Sequence, residues 1–165
     1  MIIETVYVAL GSNLDEPRRQ LQAGVQALAQ LPGTQVHKCS SFYASAPVGY
    51  AHQPDFVNAV AAIHTTLAPR ALLDALLGIE RAHGRMRDIP NGPRTLDLDI
   101  VLYGERVVHE PGLTVPHPRM HQRAFVLAPL AEIAPDALVP GAGPVRELLA
   151  GVDRASVRVL AEQAA

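Results

Sequence analysis

Two aspartates one residue apart, Asp97 and Asp99, with Arg94 three positions upstream, are the side chains here whose types and spacing could do chemistry. They lie in the segment Gly92-Pro93-Arg94-Thr95-Leu96-Asp97-Leu98-Asp99-Ile100-Val101-Leu102-Tyr103-Gly104. Alternation from Leu96 to Leu102 predicts a half-buried β-strand. Leu96, Leu98, Ile100 and Leu102 share one face, and Asp97, Asp99, Val101 and Tyr103 share the other. At a rise of about 3.3 Å per residue the two aspartate Cβ atoms stand about 6.5 Å apart. Carboxylates that close repel by about 2–3 kcal/mol at an effective dielectric of about 20, and strands are normally poor in aspartate. A bound cation removes that penalty. Mg²⁺ suits the pair best, because it is held by one or two carboxylates together with substrate phosphates. A lone Asp-x-Asp is commonly a solvated strand face. The Gly-Pro turn and Arg94, a guanidinium that can grip phosphate in bidentate fashion, favour phosphoryl chemistry instead.

The elements that must position this pair alternate along the chain. Thr5 to Leu10 reads as a first strand, ended by Gly11-Ser12-Asn13. Asp15 can cap a helix with Pro17 in its first turn and Leu21, Val25, Leu28 and Leu31 on one face, stopped by Pro32-Gly33. Thr34 to Tyr43 is a second strand and Phe56 to Thr65 a third. Thr66 caps a second helix running through Leu72, Leu73, Leu76 and Ile79 to His83-Gly84. After the Asp-bearing strand a short hairpin at Gly104 leads into Glu105 to His109. A third helix is expected from Pro118 to Leu127, with Pro129 disturbing its end. Val145 to Ala150 reads as a short helix and Ser156 to Leu160 as a last strand. The order β-α-β-β-α-β predicts a ferredoxin-like α+β sandwich with an extra C-terminal helix and strand, its helices on one sheet face and the other face open to a ligand.

Composition narrows the function. The 165 residues suit one domain over residues 1–165 with a sizeable core. No apolar run is long enough to span a bilayer, and the start lacks the pattern of a signal peptide. Cys39 is the only cysteine, which excludes an internal disulfide and a CxxC zinc site and fits a cytoplasmic location. A net charge of −2 with 4% aromatic residues argues against a nucleic-acid partner. Lys38 is the single lysine among the 14 basic residues. The arginines cluster at Arg81, Arg85, Arg87 and Arg94, and again at Arg119 and Arg123 beside His117 and His121. That distribution fits a local phosphate site.

The segment Gly92–Val101 resembles the diagnostic motif of the 6-hydroxymethyl-7,8-dihydropterin pyrophosphokinase (HPPK) family. The resemblance extends to Ala9-Leu10-Gly11-Ser12-Asn13-Leu14, Ser40-Ser41-Phe42-Tyr43, Gln53-Pro54-Asp55-Phe56-Val57-Asn58-Ala59 and Leu113-Thr114-Val115-Pro116-His117. It implies an enzyme of folate biosynthesis that moves pyrophosphate from ATP to a pterin alcohol and releases AMP, with two Mg²⁺ ions. By the same resemblance Asp97 and Asp99 are the metal ligands, and Asp97 also faces the alcohol. Arg85, Arg87, Arg94, His117 and Arg123 match positions that grip the triphosphate, with Arg85 and Arg94 carrying catalytic weight. The Gly/Pro-rich stretch 84–94 is then a lid that closes over it. Glu80, Ile100 and Thr114 match residues around the nucleotide; Ile100 reads equally as core, Glu80 also as an exposed helix acid, and His117 also as a hydrogen-bonded structural histidine before Pro118. ATP and the pterin are the expected partners of a monomer, with no membrane or nucleic-acid partner.

A pterin is a flat polar bicycle, so its site needs aromatic walls and an amide that reads its edge. Asn58 offers donor and acceptor together and is unfavourable in a strand otherwise. Phe56 and Phe125 are the candidate walls. Ser45, Ala46 and Val48 occupy the loop whose backbone meets the pterin in the family. Gly11, Ser12 and Asn13 either shape the same region or make a strand–helix turn. Ser45-Ala46 stand where members often have Thr-Pro, and Phe56 where a tyrosine is common. Gly112 stands where some members have arginine, Leu77 where a polar residue faces the nucleotide, and the arginine loop is short and lacks a tryptophan. A non-catalytic sensor would not need this arginine cluster, and a phosphohydrolase would have little use for Phe56, Asn58 and Phe125.

Overall fold

The structure, a computed structural model, describes residues 2–14, 16–46, 54–83, 95–155 and 157–160. Alternation builds its first strand, β1 (Glu4–Ser12), whose Val6, Val8 and Leu10 turn to one face and Tyr7, Ala9 and Gly11 to the other. Helix α1 (Pro17–Ala29) packs Leu21 and Leu28 onto the first face. Gly24 makes that approach possible, because a Cβ there would lie 3.0 Å from Leu10 Cδ2 and 3.3 Å from Leu96 Cδ2. The chain returns in β2 (Thr34–Cys39), β3 (Tyr43–Ser45) and β4 (Phe56–Thr65). Helix α2 (Pro69–Ala82) adds Leu72, Leu76 and Ile79 to the same core, and β5 (Asp97–Tyr103) completes the motif. The main sheet runs β10-β3-β4-β1-β5 with β2 also on β4, every pairing antiparallel, which is the expected ferredoxin-like order. The last strand, β10 (Val157–Val159), closes the edge beyond β3.

Several expectations change in the structure. The strand expected over 34–43 is two, because Ser40 breaks the ladder. Val60 N donates to Ser40 Oγ at 3.0 Å where a backbone carbonyl would otherwise accept, and Ser40 N donates to Val60 O at 2.9 Å. Thr66 does not cap α2; Ala68 holds that position before Pro69, and Thr66 N donates to Gly33 O instead. The Gly104 turn forms, but the next strand, β6 (Val108–Glu110), pairs with β7 (Leu113–Val115) in a separate hairpin. The third helix begins later than expected. A 3₁₀ turn (Met120–Gln122) precedes α3 (Ala124–Ile133), and Pro129 lies buried within that helix. Burial of Val126, Leu127 and Leu130 outweighs the cost of the proline. A two-residue ladder of β8 (Leu138–Val139) and β9 (Gly143–Pro144) leads into α4 (Val145–Ala150), as the pattern there predicts.

The second sheet face is therefore not free along its length. Helices α3 and α4 cover it with a second core around Val60, Val101, Met120, Leu127 and Leu130. Strand β4, central in the sheet, is buried on both faces from Asn58 to Ile63. A bulge opposite Tyr7 and Val8 inserts Val101 into β5, so Leu102 turns to the second core and Tyr103 to the first. This reverses the faces that simple alternation predicts for those two residues. Asp97 and Asp99 precede the bulge and keep the predicted face. Among the described residues no helix is long and apolar enough to cross a membrane.

Candidate active site

Register places the polar residues of three strands in line. Tyr43 pairs with Asn58, Asn58 with Gly11, and Gly11 with Asp97. One step along, Val60 pairs with Ala9 and Ala9 with Asp99. Cross-strand partners share a face, so both aspartates and Asn58 look out on the α3 side, at the end that α3 leaves uncovered. A cavity of about 120 Å³ lies there. Phe56, Asn58 and Phe125 line it together with Asp97, Asp99, His117 and Arg123. Ser45 and Ala46 reach the same cavity from the end of β3.

Each side chain is held by its neighbours. Asn58 is buried, and its Nδ2 donates to Ser45 Oγ at 2.6 Å. Asn13, on the turn after β1, donates from Nδ2 to Pro54 O at 3.0 Å and so fixes the chain just before Phe56. Gly11 thus lines the cavity from within β1, and Asn13 makes the turn that follows. Arg123 precedes the first residue of α3, and its guanidinium sits 5.4 Å from the centre of the Phe125 ring. Burial lowers the Arg123 pKa from its usual value, and the Asp99 carboxylate opposes that shift. The group stays charged, as guanidinium does throughout the ordinary pH range. His117 is tied to the metal-candidate strand by its own N–H, which donates to Val101 O at 3.0 Å. Burial lowers the His117 pKa, Arg123 lowers it further, and Asp97 pulls the other way. Its Nδ1 accepts from Arg119 N at 3.2 Å, so the neutral ring carries its proton on Nε2.

The donor set suits a hard divalent ion shared with a phosphate. Two carboxylates stand on adjacent rows with a guanidinium facing both. Among the described residues no group of three or more His, Cys, Asp or Glu could hold a metal. A site that leaves most of the coordination shell to substrate oxygens and water is the arrangement Mg²⁺ favours.

The structure thus brings Ser45, Ala46, Phe56, Asn58, Asp97, Asp99, His117, Arg123 and Phe125 into one cavity. Three other predicted residues lie elsewhere. Glu80 is 2% exposed, which removes the reading of an exposed acid, and its Oε2 accepts from Leu98 N at 2.7 Å, between the two aspartates but behind them. Ile100 is buried in the first core, and Thr114 pairs with His109 in the β6–β7 hairpin. Val48, Arg85, Arg87, Arg94 and the stretch 84–94 lie outside the described residues, as does Asp15. Sequence reasoning missed Ala9, Leu10, Val101 and Val126 as lining residues. The signal for Ala9 was present, since small residues alternate with large ones along β1.

Comparison with known proteins shows the family of the chain and a shared fold. The sequence profile of the family described as 7,8-dihydro-6-hydroxymethylpterin-pyrophosphokinase (HPPK) matches residues 7–135. A 2-amino-4-hydroxy-6-hydroxymethyldihydropteridine pyrophosphokinase of Pseudomonas aeruginosa is 56% identical over 149 residues, covering 90% of this chain and 92% of its own. The enzyme of that name from Haemophilus influenzae is 50% identical over 145 residues, covering 88% and 91%. Among solved structures, Plasmodium falciparum HPPK-DHPS with pterin and p-hydroxybenzoate superposes with a TM-score of 0.69 at 13% identity. That match covers 90% of this chain and 43% of the longer one, and it shows the shared fold.

Proposed function

The chain belongs to the 7,8-dihydro-6-hydroxymethylpterin-pyrophosphokinase family and is a pyrophosphokinase of folate biosynthesis, and we propose that it transfers pyrophosphate from ATP to the hydroxymethyl group of 6-hydroxymethyl-7,8-dihydropterin in the β4–β1–β5 cavity. The observation that carries the reading is the lining of that cavity. An amide and two phenylalanines share it with two carboxylates, Arg123 and His117, and the amide stands two strands away from Asp97.

In this reading Asn58 pairs with the pterin edge while Phe56 and Phe125 bracket the ring, and Ser45 and Ala46, with Val48, border it. The alcohol arm then extends along the row toward Asp97. Asp97 and Asp99 would hold two Mg²⁺ ions, whose contribution is to neutralise phosphate charge and align the attacking and leaving oxygens. Arg123 sets a fixed positive charge against the triphosphate, and neutral His117 offers its Nε2–H as a donor that costs no reorganisation. The hydroxyl oxygen attacks the β-phosphorus, the bond to the α-phosphate oxygen breaks, and AMP leaves. Asp97 is the acceptor proposed for the alcohol proton. Arg85, Arg87 and Arg94 complete the cation set as a lid over the triphosphate, with Ile100 and Thr114 assigned to the nucleotide by resemblance and Glu80 supporting the Asp-bearing strand from behind. The working unit is proposed as a monomer. Phosphorus NMR of the chain with ATP, Mg²⁺ and the dihydropterin tests the proposal. AMP and a pterin diphosphate are expected; ADP, or orthophosphate released without pterin, refutes it.

A further inference from the structure

We infer that Gly11 is a specificity-determining residue whose missing side chain keeps open the passage between the Asn58 amide and the Asp97 carboxylate. The inference rests on the pterin reading of the cavity and adds a residue to it. Asn58 and Asp97 both pair with Gly11, one from each side. They therefore stand two strand spacings apart, about 10 Å. A ligand whose ring edge meets Asn58 while its arm reaches Asp97 must cross the Gly11 Cα.

A Cβ at Gly11 would lie 3.4 Å from Asn58 Oδ1, 3.9 Å from Phe56 Cδ1 and 4.0 Å from Val57 O. Those are ordinary van der Waals separations, so the ligand-free fold accepts a methyl group. Gly11 is not among the glycines with left-handed φ, and it is paired on both sides within a central strand. Glycine weakens a strand interior and often marks close approach by a ligand or another backbone. Among the described residues no protein group makes that close approach. A methyl 3.4 Å from the amide oxygen would instead fill the space that a hydrogen-bonding ring edge needs, since such an edge comes to about 2.7–3.2 Å.

Calorimetry on the wild type and on Gly11→Ala decides the matter. The non-hydrolysable ATP analogue is titrated with Mg²⁺, and 6-hydroxymethylpterin is then titrated into the nucleotide-loaded protein. In Gly11→Ala the pterin Kd should rise at least tenfold, the nucleotide Kd should stay within twofold, and the melting temperature should match or exceed that of the wild type. Unchanged pterin affinity overturns the inference, because the passage would not need to be open. A lowered melting temperature with loss of both ligands also overturns it, because Gly11 would then serve the fold. If the wild type itself binds no pterin, the reading of the cavity falls and this inference with it.

Discussion

Replacing Glu80 tests whether the aspartate pair depends on support from behind the sheet. Among the described residues strand β5 ends the sheet, and the outward-facing N–H of Leu98 donates to the buried Glu80 carboxylate at 2.7 Å. A hydrogen bond to a charged acceptor contributes about 1.5–3 kcal/mol, and a buried donor left without a partner costs about 1–3 kcal/mol. These overlap, so Glu80→Ala should destabilise the fold by about 3 kcal/mol. Glu80→Gln keeps an acceptor of the same shape and should cost about 1 kcal/mol. For a chain of this length each kcal/mol moves the melting temperature by about 2–4 °C, giving drops of about 6–12 °C and 2–4 °C. Because Leu98 lies between Asp97 and Asp99, the Mg²⁺ concentration for half-maximal turnover should rise in the same order. Thermal melts with a Mg²⁺ titration of activity make the check. If Glu80→Ala melts like the wild type and loses only ATP affinity, the carboxylate serves the nucleotide and the supporting role is wrong.

Asp97→Asn and Asp99→Asn should each remove most turnover while barely moving the melt without Mg²⁺. The repulsion relieved is about 2–3 kcal/mol before solvent screening, and it is offset by lost attraction to Arg123; a drop of more than about 4 °C in both variants would make the acids structural. Asn58→Ala should weaken pterin binding by about 2–3 kcal/mol, or about 30- to 150-fold, since a recognition edge loses its paired groups. ATP affinity should change little, and equal loss of both ligands in calorimetry would indicate a folding defect. The His117 pKa is lowered in the fold from its usual 6.5, chiefly by burial. The folded chain then binds fewer protons than the unfolded one below that value, so stability is fully present above about pH 6.5 and declines as pH falls below it. Melts in steps from about pH 5 to 7.5 should show a shallower acid decline in His117→Gln, and an unchanged slope would remove His117 as its source.

Local periodicity carries much of the architecture and stops where partners lie far apart in the chain. Alternation alone places Asp97 and Asp99 together because both precede the bulge at Val101. The bulge itself depends on how β5 registers against β1, which no pattern within β5 contains, and so Leu102 and Tyr103 exchange faces. Glu80 is similar. Its helix position is legible, yet its partner is a backbone N–H eighteen residues away. Ser40 reads as one more strand residue until its hydroxyl is seen to take the place of a carbonyl in the β4 ladder. Asn58, Phe56 and Phe125 are legible for another reason: a buried amide in a strand and isolated aromatics in an aromatic-poor chain stand out by type.

The late start of α3 is what turns a covered sheet face into a site. Glu132 near the end of that helix accepts hydrogen bonds from Ser41 N at 2.8 Å, Ser41 Oγ at 3.1 Å and Tyr43 Oη at 2.6 Å. These contacts pin the helix over β3 and β4, so its first residue decides how far along the sheet the cover reaches. A helix beginning at Pro118 would add about 9 Å at that end and lay more backbone across the Asn58–Gly11–Asp97 row. The chain instead crosses residues 117–123 in a 3₁₀ turn whose Met120 anchors in the second core. That turn brings His117 and Arg123 to the cavity that the aspartates line, and Phe125 follows in the first turn of α3. Cation placement, aromatic wall and open floor thus share one cause, the position of the helix start relative to the strand register.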